Sequence, residues 1–384
     1  MKNFKSVKDF GAFGDGVNDD YAAFQKALDE CKEIYIPMGV YNIGDTLKVY
    51  SNTKIKAEKN AKIVMKSASR RHRNDFLLTN IDFEKGNKNI SIEGGIWDGA
   101  NHLPENQKPD LFDKNGYSGS VLNFINVEGL TLKNMVIANS VTYYVRMSKL
   151  HNFVIEDIDF VSDNFGVNQD GLHFGGDVKH GTVKNIRALS YGQTNDDLIA
   201  LNGDDSVERI ENLDLARDDI EDITFENLYA ENCHTIIRIL SVNVNIKNIH
   251  FKNVYGGFRC NAINADAARY CRVPLFKEED FPQGVGVVED FSIENFTCYP
   301  ICELPADWNG TTTKPKTALL FESAMNNFSI TNFNYIGKNT EVPPLKAKNI
   351  VNQKIIADNK EYILQSKEDK LELEQFTRLT VNKN

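Results

Sequence analysis

A short pattern that returns at intervals of about one solenoid coil constrains this chain more than any other feature. Its copies are Ser91-Ile-Glu-Gly-Gly95, Thr131-Leu-Lys-Asn-Met135, Val154-Ile-Glu-Asp-Ile158 and Thr182-Val-Lys-Asn-Ile186. Four more follow: Thr224-Phe-Glu-Asn-Leu228, His250-Phe-Lys-Asn-Val254, Ser292-Ile-Glu-Asn-Phe296 and Ser329-Ile-Thr-Asn-Phe333. Each reads as a short strand, a polar turn built on Asn, Asp or Gly, and a second short strand. Asparagine suits the turn because it tolerates left-handed backbone and bonds to its neighbours. The starts are separated by 40, 23, 28, 42, 26, 42 and 37 residues. The short steps fit one coil; the long ones fit a coil with an insertion or one whose motif has decayed. Strands this short are unstable alone, and at this period they predict a parallel β-helix in which each coil pairs with the next over a continuous inner stack. A β-sandwich is the rival, but its strands rarely repeat one turn chemistry so regularly.

A solenoid must cover its ends. Tyr21, Phe24, Ala27, Leu28 and Cys31 fall at helical spacing behind Asp19 or Asp20 as N-cap, which predicts a short amphipathic helix over the first coil. Past about Val342 the repeat stops and the sequence turns Lys-rich and polar. The expected organisation is one all-β solenoid over residues 1–341, capped within about 1–33, and a C-terminal tail or cap over 342–384. A length of 384 residues, which would otherwise suggest two or three domains, then measures one repeat array.

Composition narrows the partners. With 44 Lys and Arg against 54 Asp and Glu, the formal charge is -10, the wrong sign for a general binder of nucleic acid or of an anionic membrane. No apolar run approaches a membrane span. The start, Met1-Lys-Asn-Phe-Lys-Ser-Val-Lys-Asp-Phe10, has no apolar centre of the kind an export signal needs, so a cytoplasmic protein is expected. Six cysteines, Cys31, Cys233, Cys260, Cys271, Cys298 and Cys302, are expected to be reduced and mostly buried. Cys298 and Cys302 have no second pair at zinc-ligand spacing, and no His-Glu-x-x-His run occurs, so neither metal nor cofactor is indicated. Gly11-Ala-Phe-Gly14-Asp-Gly16 departs from the dinucleotide fingerprint and is followed by aspartates where a pyrophosphate would sit. No Gly-x-Ser-x-Gly elbow is present.

The run Val7-Lys-Asp-Phe-Gly-Ala-Phe-Gly-Asp-Gly-Val-Asn-Asp-Asp20, with Ala23-Phe-Gln-Lys-Ala27 and Ile34-Tyr-Ile-Pro-Met-Gly-Val-Tyr41, resembles the entry segment of pectin-lyase-like right-handed β-helix proteins. A narrower resemblance lies in Asn168-Gln-Asp-Gly-Leu-His-Phe174 and Asn195-Asp-Asp-Leu-Ile-Ala-Leu201. These are similar to the Asn-Thr-Asp and Asp-Asp motifs of polygalacturonase-type glycoside hydrolases, family 28. The first likeness covers most of the chain, the second roughly Asn168 to Ser241.

Spacing points to the same residues. Asp170 and Asp196 are 26 residues apart, about one coil. Asp170 lies 16 residues after Val154, and Asp196 and Asp197 lie 14 and 15 after Thr182, so three carboxylates should share one patch of outer wall. Crowded acids raise one another's proton affinity, so one can stay protonated while its neighbours ionise. Glycoside hydrolysis needs that combination, an acid for the leaving oxygen and a base for water. Arg238, 14 residues after Thr224, is expected in phase with Asp196; Arg146, 15 after Thr131, is expected one coil before Asp170, as a ligand of a sugar hydroxyl or carboxylate or as a solvated strand-end charge. His173, three residues beyond Asp170, faces either groove or core and receives no role.

Ile237-Arg-Ile-Leu240 resembles the family's Arg-Ile-Lys motif, with Leu240 in place of the lysine, and His234 loosely resembles the His of its Gly-His-Gly motif. The resemblance implies displacement with inversion: Asp196 protonates the glycosidic oxygen, Asp170 and Asp197 hold and deprotonate water, and Arg238, with His234, Asn168 and Arg146, surrounds the sugar. Leu240 and the net negative charge favour a neutral or partly acidic oligo- or polysaccharide over a galacturonan. A lyase, transglycosylase or epimerase on the same fold, and a non-enzymatic glycan-binding β-helix, stay open. So do the monomeric and trimeric states.

Overall fold

A computed structural model describes residues 4–66, 74–103, 106, 112–337 and 340–384. The chain winds as a right-handed parallel β-helix. Every repeat start pairs with the next: Ser91 with Thr131, Thr131 with Val154, Val154 with Thr182, Thr182 with Thr224, Thr224 with His250, His250 with Ser292 and Ser292 with Ser329. No coil with a decayed motif intervenes, so each long step is a coil with an insertion. Three of these insertions, residues 203–219, 266–286 and 301–317, lie beside the same wall.

The motif asparagine works as the spacing requires. Asn134, Asp157, Asn185, Asn227, Asn253, Asn295 and Asn332 all have φ between 54 and 59°, the left-handed region that Asn enters more readily than other side chains. Their amides stack into a ladder: Asn185 donates to Asp157 at 2.7 Å, Asn227 to Asn185 at 2.8 Å, and Asn253, Asn295 and Asn332 each to the coil before at 2.9 Å. Asn185→Ala removes two of these bonds and leaves a Cβ residue with no compensating amide in left-handed backbone. We expect it to destabilise the protein by about 2–3 kcal/mol, with Asn185→Gly costing measurably less. Equal urea midpoints for the two variants would contradict the backbone part of this account.

Inside the coils, apolar side chains stack on like side chains. Phe225 lies on Phe251 with ring centroids 4.3 Å apart, and Phe251, Phe291 and Phe328 continue the column at 5.5 and 5.3 Å. Helix Tyr21–Glu30 buries Ala23, Phe24, Ala27 and Leu28 on the first coil. Asp20 occupies its N-cap position, yet its carboxylate makes no cap bond; it accepts from the Phe13 and Gly14 amides instead. The last parallel rung is Leu345–Lys348 on Leu319–Phe321. Strands Gln353–Ala357, Lys360–Leu364, Lys370–Leu373 and Leu379–Lys383 then fold back antiparallel over the end of the solenoid. Of the cysteines only Cys233 and Cys298 are buried, and all six are free thiols. Of the others, Cys271 and Cys302 lie in the insertions, Cys31 ends the N-terminal helix and Cys260 stands on a wall strand.

Candidate active site

One ladder of strands carries the predicted residues. Leu172 pairs with Ile199, Ile199 with Ile237 and Ile237 with Ile263, all facing the core. The alternate positions form an outward column of Arg146, His173, Ala200, Arg238 and Asn264. Asp197 stands two residues before Ile199 and pairs with Thr235. Asp170 stands two before Leu172, and Gly171 donates to the Asp197 carbonyl at 2.8 Å. Asp170 is therefore level with Asp197, and Asp196 sits one position off. The expected phases of the two arginines differ as well: Arg146 pairs with His173 and Arg238 with Ala200. The cause is turn length. Eight residues separate Ala188 from Asp197, whereas Ile220–Leu240 is one continuous strand with four residues between Ala230 and Thr235, so counting from the repeat start overshoots there.

Over this wall lies a cavity of about 1340 Å³ lined by Asn168, Asp170, Asp196, Asp197, His234 and Arg238 among others. The three insertions build its sides, contributing Asp205 and Arg209, Asp266, Arg269 and Tyr270, and Thr313, Lys314 and Lys316. Sequence reasoning missed these residues. The signal available was that the long repeat steps cluster after the Asp-Asp motif.

The three carboxylates differ in environment. Burial, and then the charge of Asp196, hold Asp170 well above the usual carboxylate range. Asp197 is raised in the same way, by burial, Asp196 and Asp170. At Asp196 burial also pushes upward, but the bond from His234, with the His234, Arg209 and Arg238 charges, wins and holds it below the ordinary value. His234 Nδ1 lies 3.2 Å from Asp196 Oδ1 and Nε2 lies 3.1 Å from Thr313 Oγ1. Burial opposes its charge, yet Asp196 and the Cys260 thiol outweigh that and raise it to about 10. Asp196, Asp197 and His234 offer one donor atom each within 4.8 Å. A metal would bind there only with His234 deprotonated.

Arg238 is buried and donates from Nη1 to Asp266 at 2.5 Å, while Nη2 has no hydrogen-bond partner. Asn168 lines the cavity and donates to Glu211 at 2.5 Å. Arg146 is neither a cleft ligand nor a solvated charge. It is 3 % exposed, donating to Asn123 at 2.6 Å, to the Glu211 carbonyl at 2.7 Å and to the Leu213 carbonyl. It fastens the turn Ile210–Asn212 of the first insertion to the wall.

With fold and geometry in place, residues 4–259 match the family model described as rhamnogalacturonase A/epimerase, pectate lyase-like. The chain belongs to this family. Within curated proteins it is similar to the pre-neck appendage protein of Bacillus phage phi29, 35 % identical over 96 residues that cover 25 % of this chain and 11 % of that protein. It is also similar to the plasmin and fibronectin-binding protein A of Streptococcus pneumoniae, 26 % identical over 168 residues covering 40 % and 20 %. The chain thus spans about a tenth of the length of the phage relatives it matches. Two solved structures share the fold at 14 % identity. The family 28 exopolygalacturonase of Yersinia enterocolitica has a TM-score of 0.58 over 89 % of this chain and 67 % of its own. The adhesin PfbA of Streptococcus pneumoniae has 0.51 over 95 % and 100 %. This chain is therefore similar in sequence to a phage appendage protein and a streptococcal binding protein, and shares its fold with a polygalacturonase and an adhesin.

Proposed function

We propose that this chain is a glycoside hydrolase that cleaves a glycosidic bond of an oligo- or polysaccharide held along the cleft, with inversion. The observation that carries the reading is that three aspartates line one cleft in different environments, burial raising Asp170 and Asp197 while the bond from His234 and nearby positive charges lower Asp196. Such divergent environments are how an acid and a base come to coexist at one pH. Asp196 is the most open of the three, its side chain 28 % exposed against 4 % for Asp170. It donates the proton to the leaving oxygen. In the free enzyme that proton rests on His234. A bound sugar displaces water from the pair, and a drier site favours the neutral pair over the ion pair.

Asp196 and Asp197 carry oxygens within 4.8 Å of each other. With Asp196 assigned to the leaving oxygen, the nucleophilic water is assigned to Asp170 and Asp197, level on neighbouring coils. The ionised member of that pair takes the water proton as the oxygen attacks the anomeric carbon and the C–O bond breaks. Arg238 lines the cleft and is assigned to the sugar beside the aspartates, held in place by its bond to Asp266. Lys314 and Lys316, exposed and without a carboxylate partner among the described residues, give the cleft cations that Leu240 does not, and this suits a glycan carrying some negative charge.

Two measurements test the reading. The product released first should be the inverted anomer by proton NMR; retention would make Asp197 the nucleophile and overturn the water assignment. The pH profile should be bell-shaped. Its acid limb is the deprotonation of Asp170 and Asp197, displaced above the ordinary carboxylate value of about 4. Its alkaline limb is the loss of the His234 proton near 10. In His234→Gln the alkaline limb should move to lower pH, because Asp196 must then hold its proton alone. An unmoved alkaline limb would remove His234 from the mechanism.

A further inference from the structure

His173 is fully buried, and its position three residues past Asp170 suggests no role by itself. Its contacts do. Nδ1 lies 2.7 Å from Asp170 Oδ2. The imidazole stacks on Tyr143 with centroids 3.9 Å apart and planes 11° from parallel, and the Tyr143 hydroxyl donates to Asn212 Oδ1 at 2.6 Å. Asn212 belongs to the turn that Arg146 fastens. The ring is thereby held between Asp170 and Tyr143 of the solenoid wall, and the first insertion fixes Tyr143. Its second nitrogen, Nε2, is buried with no hydrogen-bond partner.

That unpartnered atom selects the tautomer. A neutral imidazole has one N–H and one lone pair. Were the proton on Nε2, a buried N–H would go unbonded and Nδ1 would need Asp170 to be its donor. With the proton on Nδ1, the donor is used and only an acceptor lone pair is left unpaired. Unbonded buried N–H groups are the rarer and costlier case. Burial keeps the ring uncharged, lowering it to about 3.

Resting on the hydrolase reading above, we propose that His173 is a positioning residue that donates its Nδ1 proton to Asp170, favouring the ionised carboxylate and aiming its other oxygen at the nucleophilic water. The groups acting on Asp170 are otherwise adverse or distant. Asp196, Glu211 and Asp205 raise its proton affinity, and Arg209 alone lowers it by charge. Those acting on His173 are Asp205 and Glu211, which favour a charged ring, and Arg146 and Arg209, which oppose it. The donor bond from His173 is the local interaction that opposes this rise and favours the carboxylate.

The test combines spectroscopy and kinetics on the full chain. With histidine ring nitrogens labelled and His173→Phe used for assignment, nitrogen NMR should show His173 protonated at Nδ1 and bare at Nε2 between about pH 5 and 8. In His173→Phe, kcat at neutral pH should fall about 10- to 100-fold with KM within about twofold, and the acid limb should move to higher pH. His173→Asn, whose amide nitrogen occupies the Nδ1 position, should recover most of kcat and return the limb. A proton on Nε2, an unmoved acid limb in His173→Phe, or a His173→Asn variant no better than His173→Phe would each overturn the proposal. The correct tautomer in a chain that turns over no glycan would leave the hydrogen-bond assignment standing and sink the hydrolase reading on which its purpose rests.

Discussion

Asp196→Asn is expected to lower turnover by roughly 10²- to 10⁴-fold while leaving glycan binding and the unfolding midpoint close to those of the unaltered chain. The substitution keeps the shape of the side chain and a polar partner for His234 Nδ1, so the wall strands and the insertions lose no packing. What it removes is the proton that the leaving oxygen needs. KM should change little, because the group acts on a bond that breaks in the transition state. His234 should simultaneously lose the partner that raises it, and its ring titration should move down from about 10. A variant that bound glycan normally and retained full turnover would remove Asp196 from the chemistry.

The second large effect is structural, and separates a clamp from a ligand. Arg146→Leu leaves Asn123 Oδ1 and the Glu211 and Leu213 carbonyls without the guanidinium they share. Losing one partner of a buried polar network costs about 3–5 kcal/mol. The expected result is a large fall in unfolding midpoint together with reduced kcat, since the freed turn Ile210–Asn212 also carries the Tyr143 and Asn168 contacts. Arg146→Lys should not rescue it, because one ammonium cannot reproduce a planar fork serving three acceptors. If Arg146 bound sugar instead, the leucine variant would raise KM and leave stability untouched.

Much of this molecule is legible in its sequence because a solenoid repeats one physical solution. The motif starts pair in order from Ser91 to Ser329, and the asparagine at each turn declares its left-handed backbone by its identity. Asp170, Asp196 and Asp197 were locatable since a carboxylate column one coil apart is a periodic feature. Phase within the site strand was not legible. How long a connection joins Ala138 to Val145, Val161 to Leu172, Ala188 to Asp197 and Ala230 to Thr235 depends on the local course of the chain, which the repeat does not encode, so counting from the repeat start gives Arg146 and Arg238 each a wrong rung neighbour. The cleft walls were hidden for a related reason. Arg209, Arg269 and Lys316 reach the site from insertions whose lengths are visible and whose folded paths are not. His173 carries no sequence signal either; its role follows from a tautomer that only the burial of Nε2 reveals.

The most direct test of the central claim is mass spectrometry of neutral and acidic oligosaccharides incubated with the unaltered chain and with Asp196→Asn in parallel. The account predicts products that have gained one water per bond cleaved, formed by the unaltered chain and nearly absent with the variant. Unsaturated products whose formation a chelator abolishes would contradict it in favour of elimination, and binding of glycan by both proteins without turnover by either would contradict it in favour of a non-enzymatic β-helix.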